Sequence, residues 1–131
     1  RAPAVAWRAE PPDVPLLTIA FSMGERALDD LLRDVPAGLV IAALGAGHVP
    51  SWLVEKIGAL AARTPVVLAS RIGAGEGFRE TYGYAGSESD LLKRGCISAG
   101  YLDPYKARIL LALLLADGAA PDRIRKTFGR Y

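Results

Sequence analysis

The sequence predicts an α/β domain in three layers, an open parallel sheet of about four strands with flanking helices. Three observations carry this. Short apolar, β-prone runs alternate along the chain with segments whose apolar residues recur at helical spacing. The strand runs are apolar at successive positions, as strands are when both sheet faces are covered. Strands that alternate with helices join most readily through right-handed βαβ crossovers, which make a parallel sheet. With 131 residues, 51% of them hydrophobic, the chain is long enough for one domain with its own core.

The elements follow in order. Leu16–Phe21 (LLTIAF) is a buried strand between prolines and Ser22-Met23-Gly24. Ser22 and Glu25 stand at capping-box spacing and open a helix through Ala27, Leu28, Leu31 and Leu32, which Pro36 ends. Leu39–Leu44 (LVIAAL) is a second strand, followed by the tight turn Gly45-Ala46-Gly47-His48. Ser51 starts a helix with Leu53, Val54, Ile57, Leu60 and Ala61 on one face. Thr64-Pro65 breaks it before a third strand, Val66–Ala69. A long polar loop punctuated by Gly73, Gly75, Gly77, Gly83 and Gly86 comes next, of a length that usually serves function. Glu88–Lys93 is a short helix ended by Gly95, and a brief strand surrounds Cys96 and Ile97. Asp103 is an N-cap with Pro104 in the first helical position. The helix to Asp117 is apolar nearly all round and so needs burial against sheet or subunit. Gly118 ends it, and Pro121 opens a last amphipathic helix through Ile124 and Phe128. The whole reads as a flavodoxin-like arrangement of strands and helices.

Composition removes several classes of function. Sixteen basic against fourteen acidic residues give a net charge of +2, too small and too scattered for nucleic-acid binding. Arg123, Arg125 and Lys126, with Arg130 beyond, read as a solvated helix face. The longest apolar run, Ile109–Ala116, falls far short of the roughly 20 residues that cross a bilayer, so no membrane partner is expected. A lone cysteine, Cys96, excludes an internal disulfide and reads as an inert core thiol. The Pro-rich lead over residues 1–15 reads as a linker from a missing N-terminal domain, with the domain proper at 16–131. No signal peptide is visible, and any targeting signal would lie in the missing part; the cytoplasm is the expected compartment.

In an open parallel sheet ligands bind beyond the carboxyl ends of the strands. Here those ends lead into Ser22-Met23-Gly24, Gly45-Ala46-Gly47-His48, and Ser70-Arg71 with the Gly-rich loop, which places a site on one edge. His48, the one histidine, reads either as a substrate contact or as a loop residue bonded to its own backbone. It has no His or Cys partners for a metal. Gly45-Ala46-Gly47 and Gly73-Ala74-Gly75-Glu76-Gly77 fail the dinucleotide pattern, because Pro50 and Phe78 occupy the third glycine positions. No cofactor is expected. Arg71 could clamp a carboxylate but reads better as an anchor for a loop or subunit contact. Glu88 reads as a first-turn acid favoured by the helix dipole, with Ser87 or Ser89 as cap. Ser70 and His48 are a Ser–His pair only by default, without a G-x-S-x-G context.

The order of motifs is itself specific. Gly38-Leu39-Val40-Ile41 runs into Gly45-Ala46-Gly47-His48-Val49-Pro50; Pro65-Val66-Val67-Leu68-Ala69-Ser70-Arg71 follows; then comes Gly95-Cys96-Ile97-Ser98-Ala99-Gly100-Tyr101-Leu102-Asp103-Pro104-Tyr105-Lys106-Ala107-Arg108. The chain closes on Phe128-Gly129-Arg130-Tyr131. This set resembles the C-terminal domain of bacterial L-asparaginases, a family that includes glutaminase-asparaginases. The resemblance implies a two-domain amidohydrolase acting as a homodimer or homotetramer on L-asparagine, with L-glutamine as the alternative substrate. It also implies threonine and Thr–Lys–Asp chemistry in the N-terminal domain, whose T-G-G-T-I and G-T-D-T motifs are not in this sequence. The C-terminal domain would complete a neighbouring subunit's pocket through an Asn and a Glu. His48 stands where the family has that Asn, and Glu88 lies at the family's offset before Gly95. Both are thereby implied as substrate-binding residues, with no catalytic residue in this chain. An asparaginase-like subunit of a tRNA-dependent amidotransferase and a free-standing flavodoxin-like interaction module remain as alternatives.

Overall fold

A computed structural model of the chain describes residues 9–72 and 83–131. Pro3 of the linker and the glycines Gly73, Gly75 and Gly77 of the long loop lie outside the described residues. Four strands, β1 (Leu16–Thr18), β2 (Leu39–Ala43), β3 (Val66–Ser70) and β4 (Ile97–Ser98), form one parallel sheet. They pair in chain order, β1-β2-β3-β4. Five α-helices accompany them: α1 (Asp29–Arg33), α2 (Val54–Ala61), α3 (Glu88–Lys93), α4 (Pro104–Ala116) and α5 (Pro121–Phe128). The predicted α/β class and four-stranded parallel sheet are therefore observed.

Alternation along each strand divides the core in two. Leu39, Ile41, Ala43, Val66 and Leu68 point to one face, where they pack with Leu28, Leu53, Ile57, Leu60 and Leu91 from the segments that cross between strands. Val40, Val67, Ala69 and Ile97 point to the other face and meet Ala107, Leu111, Leu114, Ile124 and Phe128 of α4 and α5. Crossovers of one hand between strands laid down in order put α1, α2 and α3 on a single face. The second face is left for α4 and α5, which follow the last strand. Val14 belongs to this second core, and its carbonyl accepts a 2.6 Å bond from Arg108 of α4.

Helix ends explain why these segments stop where they do. Ser87 accepts a bond from the Asp90 amide, and Asp103 accepts from the amides of Tyr105 and Lys106, so both act as N-caps. At the far ends, Gly95 (φ 103°) and Gly118 (φ 69°) adopt left-handed conformations. Cys96 N–H donates to Leu91 and Gly95 N–H to Leu92; Ala119 N–H donates to Leu114 and Gly118 N–H to Leu115. Each pair is a Schellman closure, which satisfies the orphan carbonyls of the last turn.

Two expectations change. The first strand is shorter than Leu16–Phe21, and Phe21 is exposed in the turn beyond it. The Ser22/Glu25 capping box does not form. Gly24 is the N-cap of a 3-10 turn over Glu25–Leu28, which makes Glu25 the first helical residue, not the third, and leaves Ser22 too early to cap. Helix α4 meets the sheet through Ala107, Leu111 and Leu114, while Tyr105 and Ile109 are exposed on this chain.

Gly100 closes the domain on its own C-terminus. Its φ is +60°, and a Cβ there would lie 2.5 Å from the Tyr131 carbonyl carbon. Gly118 has a similar φ but open space around it. Gly100→Ala should therefore cost about 3 kcal/mol, from left-handed strain and overpacking together. Gly118→Ala should cost about 1–2 kcal/mol from strain alone. Urea denaturation of the two variants side by side checks this, and equal losses would contradict the assigned close contact.

Candidate functional site at the carboxyl edge of the sheet

Because the four strands are parallel, all their carboxyl ends open on one edge, and polar bonds stitch the turns there together. The Arg71 guanidinium donates to the Ile19 carbonyl at 2.9 Å, tying the end of β3 to the end of β1 across β2. Arg71 thus serves as the loop anchor its position suggested. The Ser70 hydroxyl donates to the Gly45 carbonyl at 2.6 Å and accepts from the Ile72 amide. It holds the turn after β2, and its proton is directed at a backbone carbonyl and not at His48. The indole of Trp52, which leads into α2, donates to the Met23 carbonyl at 3.0 Å.

The Gly45–His48 turn is fixed by its own backbone. Leu44 and His48 exchange two 2.8 Å bonds, while Gly45 (φ 48°) and Gly47 (φ 106°) occupy conformations that favour glycine. Immediately after it, Val49 N–H donates to the Gly86 carbonyl at 2.9 Å. That bond seats the segment before α3 against the turn after β2, although nearly 40 residues separate them in sequence. Gly86 has φ 87°, and a side chain there would meet the Val49 carbonyl at 2.4 Å.

Glu88 is brought to the same place. A methyl group on Gly47 would lie 3.1 Å from Glu88 Cβ and 3.3 Å from its carboxyl carbon. The two candidate residues therefore come from adjoining segments of one wall, His48 partly buried and Glu88 buried at 3% exposure. The first-turn reading of Glu88 is right in position and wrong in environment: its side chain turns into the domain. Ser98, the last residue of β4, donates its hydroxyl to Glu88 Oε1 at 3.3 Å. The ring of Tyr84 lies against the His48 imidazole, with centroids 5.4 Å apart and planes inclined at 36°.

Helix α3, which carries Glu88, is held at both ends. Asp90 accepts from the Gly86 amide at 3.0 Å and from Arg94 Nε at 3.0 Å, and Arg94 also reaches Glu55 of α2 at 2.9 Å. The Gly86 N–H, followed by the Arg94 guanidinium, holds the Asp90 carboxyl below its ordinary range against the opposing effect of burial. Burial pushes the Cys96 thiol up to about 12, as an inert core thiol requires. Among the described residues no group of three or more His, Cys, Asp or Glu side chains is placed to hold a metal ion.

Ser98 and Tyr84 were not nominated by the sequence. Ser98 was within reach, since the fourth parallel strand must end on the same edge as the other three. Tyr84 carries no periodic or motif signal; only the Val49–Gly86 pairing brings it to His48.

An open parallel sheet with its polar turns gathered at one carboxyl edge defines an α/β domain of the class whose ligand sites lie at that edge. Residues 13–128 match the family described as the Glutaminase/Asparaginase C-terminal domain, and the chain belongs to that family. It is similar to a probable L-asparaginase of Deinococcus radiodurans, 47% identical over 91 residues, which are 70% of this chain and 27% of the relative. It is also similar to L-asparaginase 2 of Escherichia coli K12, 32% identical over 114 residues, 86% of this chain and 30% of that protein. An L-asparaginase of Bacillus licheniformis is 38% identical over 87 residues, 66% of this chain and 27% of its own length. The matched part of this chain thus spans 27–30% of these relatives.

The lowered Asp90 carboxyl makes a pH prediction with a definite sign. A depressed folded pKa adds stability that is complete above the unfolded value of about 4 and is lost as pH falls through the folded value. Asp90→Asn should therefore be less stable than the parent near neutral pH, by about 1 kcal/mol. The difference should close as pH falls through the lowered folded value and Asp90 itself protonates. Denaturation midpoints measured from pH 7 to pH 2 would show the two curves converging, and parallel curves would remove Asp90 from this role.

Proposed function

We propose that this chain is the C-terminal domain of an L-asparaginase, a hydrolase that converts L-asparagine and water to L-aspartate and ammonia. Within that enzyme it finishes the substrate pocket of a neighbouring subunit. The observation that supports this most is the packing of Glu88 against the Gly47-His48 turn, which puts both implied substrate contacts on one wall. The relatives' names supply the reaction, and the edge supplies the means of binding. A carboxyl group that receives the Ser98 hydroxyl and lies against Gly47 is of the type that meets the amino group of an amino-acid substrate. An imidazole on a rigid glycine turn suits a polar contact beside it.

On this reading the nucleophile is a threonine supplied by another part of the enzyme. The described residues support that division: the Ser70 proton is committed to the Gly45 carbonyl and the Cys96 thiol is buried and neutral. Self-association is part of the same proposal. Tyr101, Tyr105 and Ile109 recur at four-residue spacing through the start of α4 and are 69%, 72% and 58% exposed, an apolar stripe suited to a subunit contact. L-Glutamine remains the second candidate substrate.

Purified by itself, the chain should release no ammonia from asparagine at an enzyme-like rate; an enzyme-like rate would overturn the division of labour. In the full-length protein, His48→Ala should raise KM for asparagine roughly three- to tenfold with little change in kcat, since it removes binding shared by ground and transition states. An unchanged KM would take His48 out of the site.

A further inference from the structure

We infer that Tyr84 is a positioning residue for the His48 imidazole and so sets how tightly the pocket holds its substrate. The inference rests on the placement of His48 in the substrate site proposed above. It is carried by the way the two rings are joined. A centroid separation of 5.4 Å falls within the range in which aromatic rings attract. Surface rings often meet by chance, but here the backbones beneath them are bolted together. Tyr84 heads a turn closed by a 3.0 Å bond from Ser87 N–H to its carbonyl. Two residues on, Gly86 accepts from Val49 N–H, the amide next after His48. Gly86 N–H in turn donates to Asp90 at 3.0 Å, which registers the turn on α3 and hence on Glu88.

The Tyr84 ring is therefore delivered to His48 by the same framework that delivers Glu88 to Gly47. At 53% exposure the ring also keeps part of its surface open beside the imidazole. Packed beside the imidazole, the tyrosine ring limits the orientations the histidine can take and so favours the one in which it meets a substrate. The work is done by the ring, so a phenylalanine should do it as well.

The test is a set of variants in the full-length enzyme. Tyr84→Ala should raise KM for asparagine roughly two- to tenfold with kcat nearly unchanged, and Tyr84→Phe should restore the parent KM. Tyr84→Ala added to His48→Ala should raise KM no further, because the tyrosine acts through the histidine. A raised KM in His48→Ala beside an unchanged KM in Tyr84→Ala, or additive effects of the two, would overturn the role of Tyr84 alone. An unchanged KM in His48→Ala would instead remove the underlying placement of His48, and the inference with it. If Tyr84→Ala proves too unstable to assay, Tyr84→Leu and Tyr84→Phe provide the same comparison. The His48 ring-proton resonances, identified by their loss in His48→Ala, give an independent reading. They should shift when the tyrosine ring current is removed in Tyr84→Leu and stay near their parent positions in Tyr84→Phe; unmoved resonances in Tyr84→Leu would also overturn it.

Discussion

Parallel strands paired in chain order cannot be joined by hairpins, so every connection must travel back along the sheet before the next strand begins. When the order never reverses, crossovers of one hand all lie on one face. This constraint organises the rest of the domain. It commits α1, α2 and α3 to one face and leaves Val40, Val67 and Ala69 uncovered until α4 and α5 arrive. The last two helices are thus required by the sheet, and the capping of α4 by Asp103 and its Schellman exit at Gly118 set where they turn. The contact of Gly100 with Tyr131 then fastens the end of the chain beside the last strand.

The same order assembles the candidate site. A sheet with a reversal would open a crevice between two neighbouring crossovers that leave on opposite faces. Among the described residues the order has no reversal, and the carboxyl edge is instead a row of turns that need tying to each other. Arg71 spans from β3 to β1, Ser70 grips the turn after β2, and Ser98 reaches from β4 to Glu88. Each bond is made by a side chain at the end of one strand to a group belonging to another segment. Glycine makes the approach possible at Gly47 and Gly86, where a methyl group would collide with Glu88 or with the Val49 carbonyl. The wall is therefore tied by side chains at the strand ends and by the close approach that Gly47 and Gly86 allow, while the Asp90–Arg94–Glu55 pairs hold α3 behind it.

Much of this was legible because it is local. Leu39–Ala43 and Val66–Ser70 announce themselves as strands by apolar runs between breakers, and Asp103-Pro104 and Gly95 mark helix ends by their own conformational preferences. The errors arise where two local rules compete or where the answer lies in another segment. Ser22-x-x-Glu25 has the spacing of a capping box, but extended Gly24 takes the cap position and shifts the helix past the serine. The apolar composition of α4 reports that the helix is sticky on every side, without saying that one chain covers only the side bearing Ala107, Leu111 and Leu114. Glu88 is the sharpest case. Its place in the first turn follows from Ser87 as cap, yet its burial depends on the space left by Gly47, some forty positions earlier. Nothing in the residues around Glu88 encodes that space.

Burying Glu88 is costly for folding, and the cost bears on what the domain is for. A carboxylate at 3% exposure would be cheaper to replace with an apolar residue if packing were its only task. The neighbouring positions are already apolar or small: Leu91 and Cys96 fill the core beneath α3, and Gly47 offers no volume of its own. The helix does not need the charge either, since Ser87 caps it and Asp90, one turn in, already supplies an acid near its N-terminus. On the proposed function, an acid that neither core nor helix requires is kept for the wall it forms with the Gly47-His48 turn. In that proposal its task is to meet the amino group of an amino-acid substrate at the carboxyl edge, beside His48.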